Sequence, residues 1–231
     1  MRLLIVTGTG TGVGKTIVTA ALASTFIAQG KRVAVVKPCQ TGVSGSEPSD
    51  VRTVAALSGC DSVHEIVRLD DPLAPDSAAR LRGLSIPAVD QLVDEVTACS
   101  EGHDVALVEG AGGVAVRLDT AGGTVITLAA GLRAAGHDVG VIVVTALTLG
   151  TLNHTELTVA ALRAAAFEPL GLVLGDVPPE PGLAEVRNLE DLPRVTGLAI
   201  VASIPHGVGS WPAAAFREAA PDWVSRPDLL A

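Results

Sequence analysis

The chain has 231 residues, of which 48% are hydrophobic and 2% aromatic, and its formal net charge is −9 at pH 7. This size predicts one domain, residues 1–231, with a sizeable core. The negative charge argues against nucleic-acid binding, which needs a basic surface. Three scattered cysteines without a CxxC pair indicate a reducing compartment. No apolar stretch is long enough for a secretion signal or a membrane span, so we expect a soluble cytoplasmic protein.

Six apolar runs, each ending in a small or polar residue, predict strands that are buried on both faces, as in a parallel sheet. They cover residues 3–8, 33–38, 105–110, 139–146, 170–176 and 198–205. Helical patterns lie between them at residues 15–30, 87–100 (with Pro87 as the first helical residue) and 151–165. The alternation predicts a three-layer, doubly wound, mostly parallel α/β sheet. Residues 41–50 are predicted to form a polar loop and residues 178–193 a surface excursion.

The stretch GTGTGVGKT, residues 8–16, follows the first predicted strand. It fails the dinucleotide pattern GxGxxG because Val13 and Lys15 stand where the third glycine is required. It matches the P-loop pattern GxxxxGK[ST] except at Thr9. Backbone N–H groups at the start of the next helix would hold phosphate oxygens, Lys15 would reach the β- and γ-phosphates, and Thr16 would ligate Mg²⁺. The alternative is a glycine-rich turn without a ligand; the helix that follows favours a nucleoside triphosphate site of the P-loop NTPase type.

Ligands of such folds bind beyond the carboxyl ends of the strands, where further polar residues stand. Lys37 ends the second predicted strand and is suited to neutralise a transferring phosphoryl group, unless it is a solvated surface lysine. Thr41 would add a hydroxyl beside it. Glu109 ends the next predicted strand and resembles a Walker-B ligand of Mg²⁺, unless it is an exposed glutamate. Asp50 is either a third metal ligand or a helix N-cap.

Residues 148–154, TLGTLNH, open a predicted helix whose free N–H groups could receive an anion. Asn153 and His154 are more typical of capping and surface polar residues than of catalysts. No mechanistic role is assigned to His154.

Five motifs occur in this order: GTGTGVGKT, KPCQTG (37–42), SD (49–50), VEGAGG (108–113) and LGTLNH (149–154). Together they resemble dethiobiotin synthetase, over residues 3 to about 176 and more loosely to 203–207. The resemblance implies a parallel α/β fold, a homodimer, and closure of the ureido ring of dethiobiotin from 7,8-diaminononanoate, CO₂ and ATP with Mg²⁺. A carbamate would attack the γ-phosphate, and the second amine would then displace phosphate from the mixed anhydride.

The resemblance also implies residue roles. Lys15 and Lys37 would be catalytic, and Thr16, Asp50 and Glu109 would form the Mg²⁺ shell. Nucleotide contacts are implied for Gly12, Val13, Gly14, Lys15, Thr16, Ile17, Asp50, Glu109, Gly110, Ala111, Gly112, Gly175, Asp176, Pro205, His206 and Gly207. Diamine contacts are implied for Thr11, Lys37, Thr41, Gly150, Thr151, Leu152 and Asn153. The last four would receive the substrate carboxylate across the dimer interface.

The chain departs from the family pattern at two places. Gly10 and Gly12 stand where the family often has acidic residues, which removes negative charge near the reacting amines. Gly175 stands where the family often has an asparagine that binds adenine, so the preferred triphosphate is left open.

Three other classes of protein share parts of this pattern. Partitioning and nitrogenase-iron-protein ATPases carry a signature lysine five residues before the P-loop lysine, and that position is Gly10 here. Cobyrinate-type amidating synthetases normally need a glutaminase domain, for which 231 residues leave no room. A nucleotide-binding module without chemistry would be separated from an enzyme by the effect of Lys37→Ala.

Overall fold

The computed structural model describes residues 1–44, 48–226 and 228. Residues 45–47, in the middle of the polar segment predicted as a loop, lie outside this description. Within the described residues, one sheet contains seven strands in the order β3-β2-β4-β1-β5-β6-β7, and every adjacent pair is parallel. The strands are β1 Arg2–Gly8, β2 Val33–Thr41, β3 Ser62–Leu69, β4 Val105–Glu109, β5 Asp138–Thr145, β6 Gly171–Val177 and β7 Ile200–Pro205.

Helices cover both faces of the sheet. They are α1 Lys15–Ala28, α2 Asp50–Ser58, α3 Pro75–Arg82, α4 Val89–Ser100, α5 Val125–Ala134, α6 Thr151–Ala164, α7 Leu183–Thr196 and α8 Ala213–Ala219. The sheet divides the buried residues into two clusters, because successive side chains of a strand point to opposite faces. Leu3 and Ile5 pack with α3 to α7, whereas Leu4 and Val6 pack with α1, α2 and α8. The predicted three-layer α/β fold is confirmed.

The six predicted strands and three predicted helices are all present, with small shifts at their ends. The helix predicted from Pro87 begins instead at Val89, whose N–H donates to Asp119 Oδ2 at 2.8 Å. The prediction missed β3, whose sequence SVHEIVRL mixes charged and apolar residues. Among the described residues this strand pairs only with β2, at the sheet edge, and it is half-buried, so it lacks the continuous apolar run of a central strand.

The surface excursion predicted at 178–193 is wrong over most of its length, because α7 covers Leu183–Thr196. Prolines and acidic residues suggested a loop, but the prolines before Leu183 precede the helix. Glu185 accepts a hydrogen bond from the N–H of Gly182 and so supports the helix start. Pro193 lies inside the last turn. Leu192 is fully buried against the core, and this tertiary packing outweighs the weak local propensity.

The chain order brings the site to the middle of the sheet. From β1 the chain runs outward to β2 and β3, returns to β4, and then continues on the other side with β5. This reversal creates the crevice in which open α/β sheets bind ligands. In the part of the chain that the structure describes, no helix is both long and apolar enough to cross a membrane.

Candidate active site

The glycine loop joins β1 to α1. Gly12 and Gly14 have φ values of 76° and 94°, in the left-handed region that favours glycine. Lys15 is the first residue of α1, and its Nζ donates to the carbonyl of Gly10 at 2.7 Å. The backbone of the loop therefore surrounds the Lys15 side chain, and the N-terminus of α1 faces the carboxyl edge of the sheet. This is the geometry of a phosphate-binding loop.

The end of β6 packs directly beneath this loop. A Cβ placed on Gly175 would lie 1.8 Å from the carbonyl oxygen of Val13, and one on Gly14 would lie 2.5 Å from the carbonyl oxygen of Gly175. No side chain fits between the two backbones. In this structure Gly175 therefore sets the position of the loop, and it offers no side chain to a base.

Four predicted residues from separate elements converge in front of the loop. The Nζ of Lys37 lies 2.6 Å from Asp50 Oδ2 and 2.7 Å from Glu109 Oε1. It also donates to the carbonyl of Gly110 at 3.2 Å. The Thr16 hydroxyl donates to the same Glu109 Oε1 at 3.0 Å. Lysine, hydroxyl and two carboxylates thus form one continuous cluster, which we call the cation cluster.

Burial decides between the alternatives for these residues. Lys37 is 3% exposed and Glu109 1% exposed, so neither is a solvated surface group. Ser49 occupies the N-cap position of α2, and Asp50 is its first helical residue. The N-cap alternative for Asp50 is therefore wrong, and its carboxylate faces Lys37 instead.

The surroundings of the site act on Lys15 and Lys37 in opposite ways. Burial disfavours the charge of Lys37, but the adjacent carboxylates of Glu109 and Asp50 outweigh it and raise the pKa above that of an ordinary lysine. Burial lowers the pKa of Lys15 to about 8, and the nearby Lys37 ammonium contributes to the decrease. The site thus holds one fixed positive charge and one that titrates near neutral pH.

Gln40 is a site residue that the sequence reasoning missed. Its side chain is 4% exposed, and its Oε1 accepts a hydrogen bond from the backbone N–H of Asp50 at 2.9 Å. Its Nε2 donates to the carbonyl of Thr41 at 3.1 Å. Gln40 therefore links the start of α2 to the end of β2 by hydrogen bonds and positions Asp50 next to Lys37. Its place inside the motif KPCQTG was the available signal.

A cavity of about 770 Å³ opens over the cation cluster. Thr11 and Thr41, both predicted to contact the diamine, line it together with Lys15 and Lys37. Its remaining walls include Gly112 and Ala111 after β4 and the apolar segment 72–75 after β3. The structure thus brings the predicted phosphate, metal and amine contacts to one space.

The residues predicted to bind the substrate carboxylate, 150–153, lie outside this cavity. A second cavity of about 640 Å³ lies on the other side of the phosphate loop and is lined by Thr151 and His154, among others. Gly150 is the N-cap of α6, with φ 96°. The side chains of Thr151 and Leu152 face the protein: Thr151 hydrogen-bonds the carbonyl of Ala146 at 2.6 Å, and Leu152 packs against the core. Any anion bound here would meet backbone N–H groups and Asn153, which is exposed.

The other predicted nucleotide contacts are at the ends of β6 and β7. His206 Nδ1 lies 2.9 Å from Asp176 Oδ1, and both side chains are exposed and line the second cavity. Gly207 has φ 78°, in the turn that follows Pro205. Ile17 packs close to Gly209 beyond this turn, where an added Cβ would lie 2.8 Å from Ile17 Cδ1. These residues lie on the same rim as the phosphate loop.

Comparisons with known proteins agree with the observed fold. A family model described as an AAA domain matches residues 2–208. The crystal structure of the cell division ATPase MinD from Pyrococcus furiosus superposes with a TM-score of 0.59, covering 99% of this chain and 98% of that one at 17% identity. At that identity the likeness concerns the fold alone. Fold and loop together define a P-loop nucleotide-binding protein of the α/β class.

Two curated relatives define the family. The ATP-dependent dethiobiotin synthetase of Rhodococcus jostii is 51% identical over 223 residues, which cover 96% of this chain and 94% of the relative. That of Streptomyces coelicolor is 47% identical over 227 residues, covering 98% and 93%. The chain belongs to the dethiobiotin synthetase family, which confirms the resemblance carried by the five motifs. It is accordingly an ATP-dependent ligase of biotin biosynthesis.

Proposed function

We propose that the protein closes the ureido ring of dethiobiotin from 7,8-diaminononanoate, CO₂ and a nucleoside triphosphate, releasing the diphosphate and inorganic phosphate. The observation that carries this proposal is the convergence of Lys37, Asp50, Glu109 and Thr16 in front of the phosphate loop. Phosphoryl transfer depends on positioning and charge neutralisation, and this cluster supplies both.

The reaction would proceed in three steps. One amine of the substrate adds to CO₂ and loses a proton, giving a carbamate. A carbamate oxygen attacks the γ-phosphorus, and the bond to the β-phosphate oxygen breaks to give a carbamic–phosphoric anhydride. The second amine then attacks the carbonyl carbon and loses a proton, phosphate leaves with the electron pair of the C–O bond, and the ring closes. Lys15 and Lys37 would neutralise the negative charge of the transferring group.

The donor atoms of the cluster suit Mg²⁺, which prefers oxygen ligands. Thr16, Asp50 and Glu109 would hold the ion, which when bound neutralises charge on the phosphates. Within residues 1–44, 48–226 and 228, no group of three or more His, Cys, Asp and Glu side chains could hold a metal by itself. The remaining ligands would therefore come from the nucleotide and water, as is usual for Mg²⁺.

We propose that the diamine is bound between two copies of the chain. Thr11 and Thr41 lie at the cation cluster, whereas the N-terminus of α6 lies across the phosphate loop. We propose that the substrate amines lie at one chain's cluster while its carboxylate is received by residues 150–153 of the other, in a cytoplasmic homodimer. Leu149, next to these residues, is 90% exposed, which fits a surface covered by a partner.

Recognition of the base would fall to Asp176 and residues 205–207, since Gly175 has no room for a side chain. We therefore expect weaker discrimination between triphosphates than an asparagine at this position would give.

The direct test is to incubate the protein with the diamine, bicarbonate, Mg²⁺ and each nucleoside triphosphate in turn, and to detect the ring-closed product by mass spectrometry. The product should appear with at least one triphosphate and disappear when bicarbonate is omitted and CO₂ is removed. Absence of the ring-closed product with every triphosphate would contradict the proposal.

A further inference from the structure

The ammonium group of Lys37 is surrounded by the oxygen atoms proposed to receive the metal. Asp50 Oδ2 lies 2.6 Å from Nζ, Glu109 Oε1 2.7 Å and the carbonyl oxygen of Gly110 3.2 Å. Both carboxylates are therefore already paired with a cation that belongs to the protein itself.

The two cations compete for the same atoms. Glu109 Oε1 accepts from both Lys37 and Thr16, so a magnesium ion held by Thr16 and Glu109 would compete with Lys37 for this carboxylate. Mg²⁺ prefers oxygen ligands, so it and the ammonium would compete for the lone pairs of the same carboxylate oxygens. Two cations packed side by side in a buried site would also repel each other strongly.

The third cationic group increases this repulsion. Lys15 is 8% exposed and lies close enough to Lys37 for the ammonium charge of Lys37 to lower its pKa. An incoming divalent ion would meet two lysines around two carboxylates. Lys15 donates to the carbonyl of Gly10, whereas Lys37 contacts both carboxylates, so Lys37 is the group that would have to move.

We propose that the Lys37 ammonium is an internal counter-cation of Asp50 and Glu109, and that Mg²⁺ displaces it and frees it to face the transferring phosphoryl group. This exchange would make metal binding precede phosphoryl transfer. Until the metal binds, the carboxylates hold Lys37, and its ammonium group cannot stabilise the transferring phosphoryl group. This inference rests on the proposed function only in taking Thr16, Asp50 and Glu109 as the metal ligands.

The first test measures metal binding without nucleotide. Mn²⁺ serves as the probe, and free Mn²⁺ is quantified by electron paramagnetic resonance in the wild type and in Lys37→Met. Loss of the competing cation should tighten Mn²⁺ binding by about tenfold or more. Lys31→Met is the matched control, because it removes one lysine charge at an exposed position. Equal affinity in the wild type and Lys37→Met would overturn the inference, as would an equal gain in Lys31→Met.

Lys37→Arg separates charge from side-chain identity, because it keeps a cation against the two carboxylates. It should bind Mn²⁺ no more tightly than the wild type. A gain like that of Lys37→Met would show that the lost lysine contacts, and not the lost charge, were responsible, and would overturn the inference.

A second measurement is made on the wild-type protein, and variants serve only to assign its signals. The chain has three lysines, Lys15, Lys31 and Lys37, so a ¹⁵N-lysine sample gives few ammonium signals. Lys31→Arg identifies the signal of Lys31, and Lys37→Arg that of Lys37. A non-hydrolysable ATP analogue is added first with EDTA and then with excess Mg²⁺. The Lys37 signal should shift or broaden at the Mg²⁺ step. No change at that step, or the full change with EDTA present, would overturn the inference.

The two proposals can fail separately. If the ring-closed product forms but Lys37→Met does not tighten Mn²⁺ binding, the exchange is wrong and the function stands. If Lys37→Met tightens Mn²⁺ binding but no triphosphate supports ring closure, the exchange stands and the function is wrong.

Discussion

Gly175 supports the phosphate loop from below by direct backbone contact with Val13. A Cβ on Gly175 would come to 1.8 Å from the Val13 carbonyl oxygen, far inside any tolerated distance. The position therefore couples the end of β6 to the loop that would hold the phosphates. It also explains physically why this position holds a glycine, since no side chain fits between the two backbones.

We expect Gly175→Asn to damage the protein and not to improve adenine recognition. The added side chain must push the loop away from β6, at a cost of about 1–3 kcal/mol. The unfolding temperature should fall, and the KM for ATP should rise. Gly10→Ala is the stability control, since a Cβ there would meet nothing within 4 Å. Unchanged stability together with a lower KM for ATP in Gly175→Asn would contradict the packing role.

Gln40→Leu should weaken metal binding although Gln40 is not proposed as a ligand. The change removes the acceptor for the N–H of Asp50. The start of α2 is then no longer held in the position that directs the Asp50 carboxylate toward Lys37. Loss of a buried hydrogen bond costs about 1–3 kcal/mol, measurable by urea unfolding. Mn²⁺ affinity in the presence of nucleotide should fall at the same time. Gln40→Glu keeps an acceptor and should retain more stability than Gln40→Leu; equal Mn²⁺ affinity in Gln40→Leu and the wild type would contradict the positioning role.

Lys37→Ala should abolish ring closure while the nucleotide still binds. Removing one charge that stabilises the transferring phosphoryl group should lower kcat by roughly a hundredfold or more. Diamine-dependent phosphate release is the appropriate assay, and Lys31→Ala is the control. Survival of diamine-dependent release in Lys37→Ala would show that the proposed mechanism is wrong.

Nucleotide binding should weaken above about pH 8. Burial and the neighbouring Lys37 ammonium lower the pKa of Lys15 to about 8, so its positive charge is present below that pH and lost above it. The KM for the triphosphate should therefore rise as pH increases from 7 to 9. Lys15→Arg keeps its charge over this range and should show a flatter profile. Parallel profiles in the two proteins would contradict this assignment.

The chemical step should have the opposite pH dependence over part of this range. The amine must be unprotonated to add to CO₂, so kcat at saturating nucleotide and diamine should rise above neutral pH. A rate that is flat from about pH 6 to 8.5 would count against a carbamate formed from a free amine.

Mixing two inactive variants tests the shared site. Lys37→Ala lacks the catalytic lysine, and Asn153→Asp places a negative charge where the substrate carboxylate would bind. In a mixed dimer, one site combines Lys37 of one chain with Asn153 of the other and is intact. Random mixing should therefore restore about one quarter of the wild-type activity. No recovery, with mixed dimers shown to form by native mass spectrometry, would indicate that each site is built within one chain.

The sequence predicted the central part of the fold well and its periphery poorly. Strands buried on both faces carry long apolar runs, and all six such runs are strands. The edge strand β3 and the helix α7 have no comparable local signal. They form because β3 completes the hydrogen bonds of β2 and because Leu192 is buried against the core.

The candidate site was likewise predicted only in part from the sequence. The motifs GTGTGVGKT, KPCQTG and VEGAGG fixed the residue types and, through the carboxyl ends of parallel strands, the edge of the sheet where they meet. No local pattern indicated that Gln40 holds Asp50, or that the predicted carboxylate contacts lie across the loop from Thr41. Those relations depend on how α2 and α6 dock against the sheet.

The sequence alone determined the class of chemistry, because a lysine and a glutamate at predicted strand ends, with a hydroxyl and an aspartate near helix starts, have few other uses beside a phosphate loop. The tertiary structure alone decided how those charges are balanced. Lys37 and Glu109 are 72 residues apart, yet β2 and β4 are neighbours in the sheet and place them 2.7 Å apart in a buried site. At that distance, away from water, an ammonium and a carboxylate must pair, and this pairing decides what an arriving metal ion has to displace.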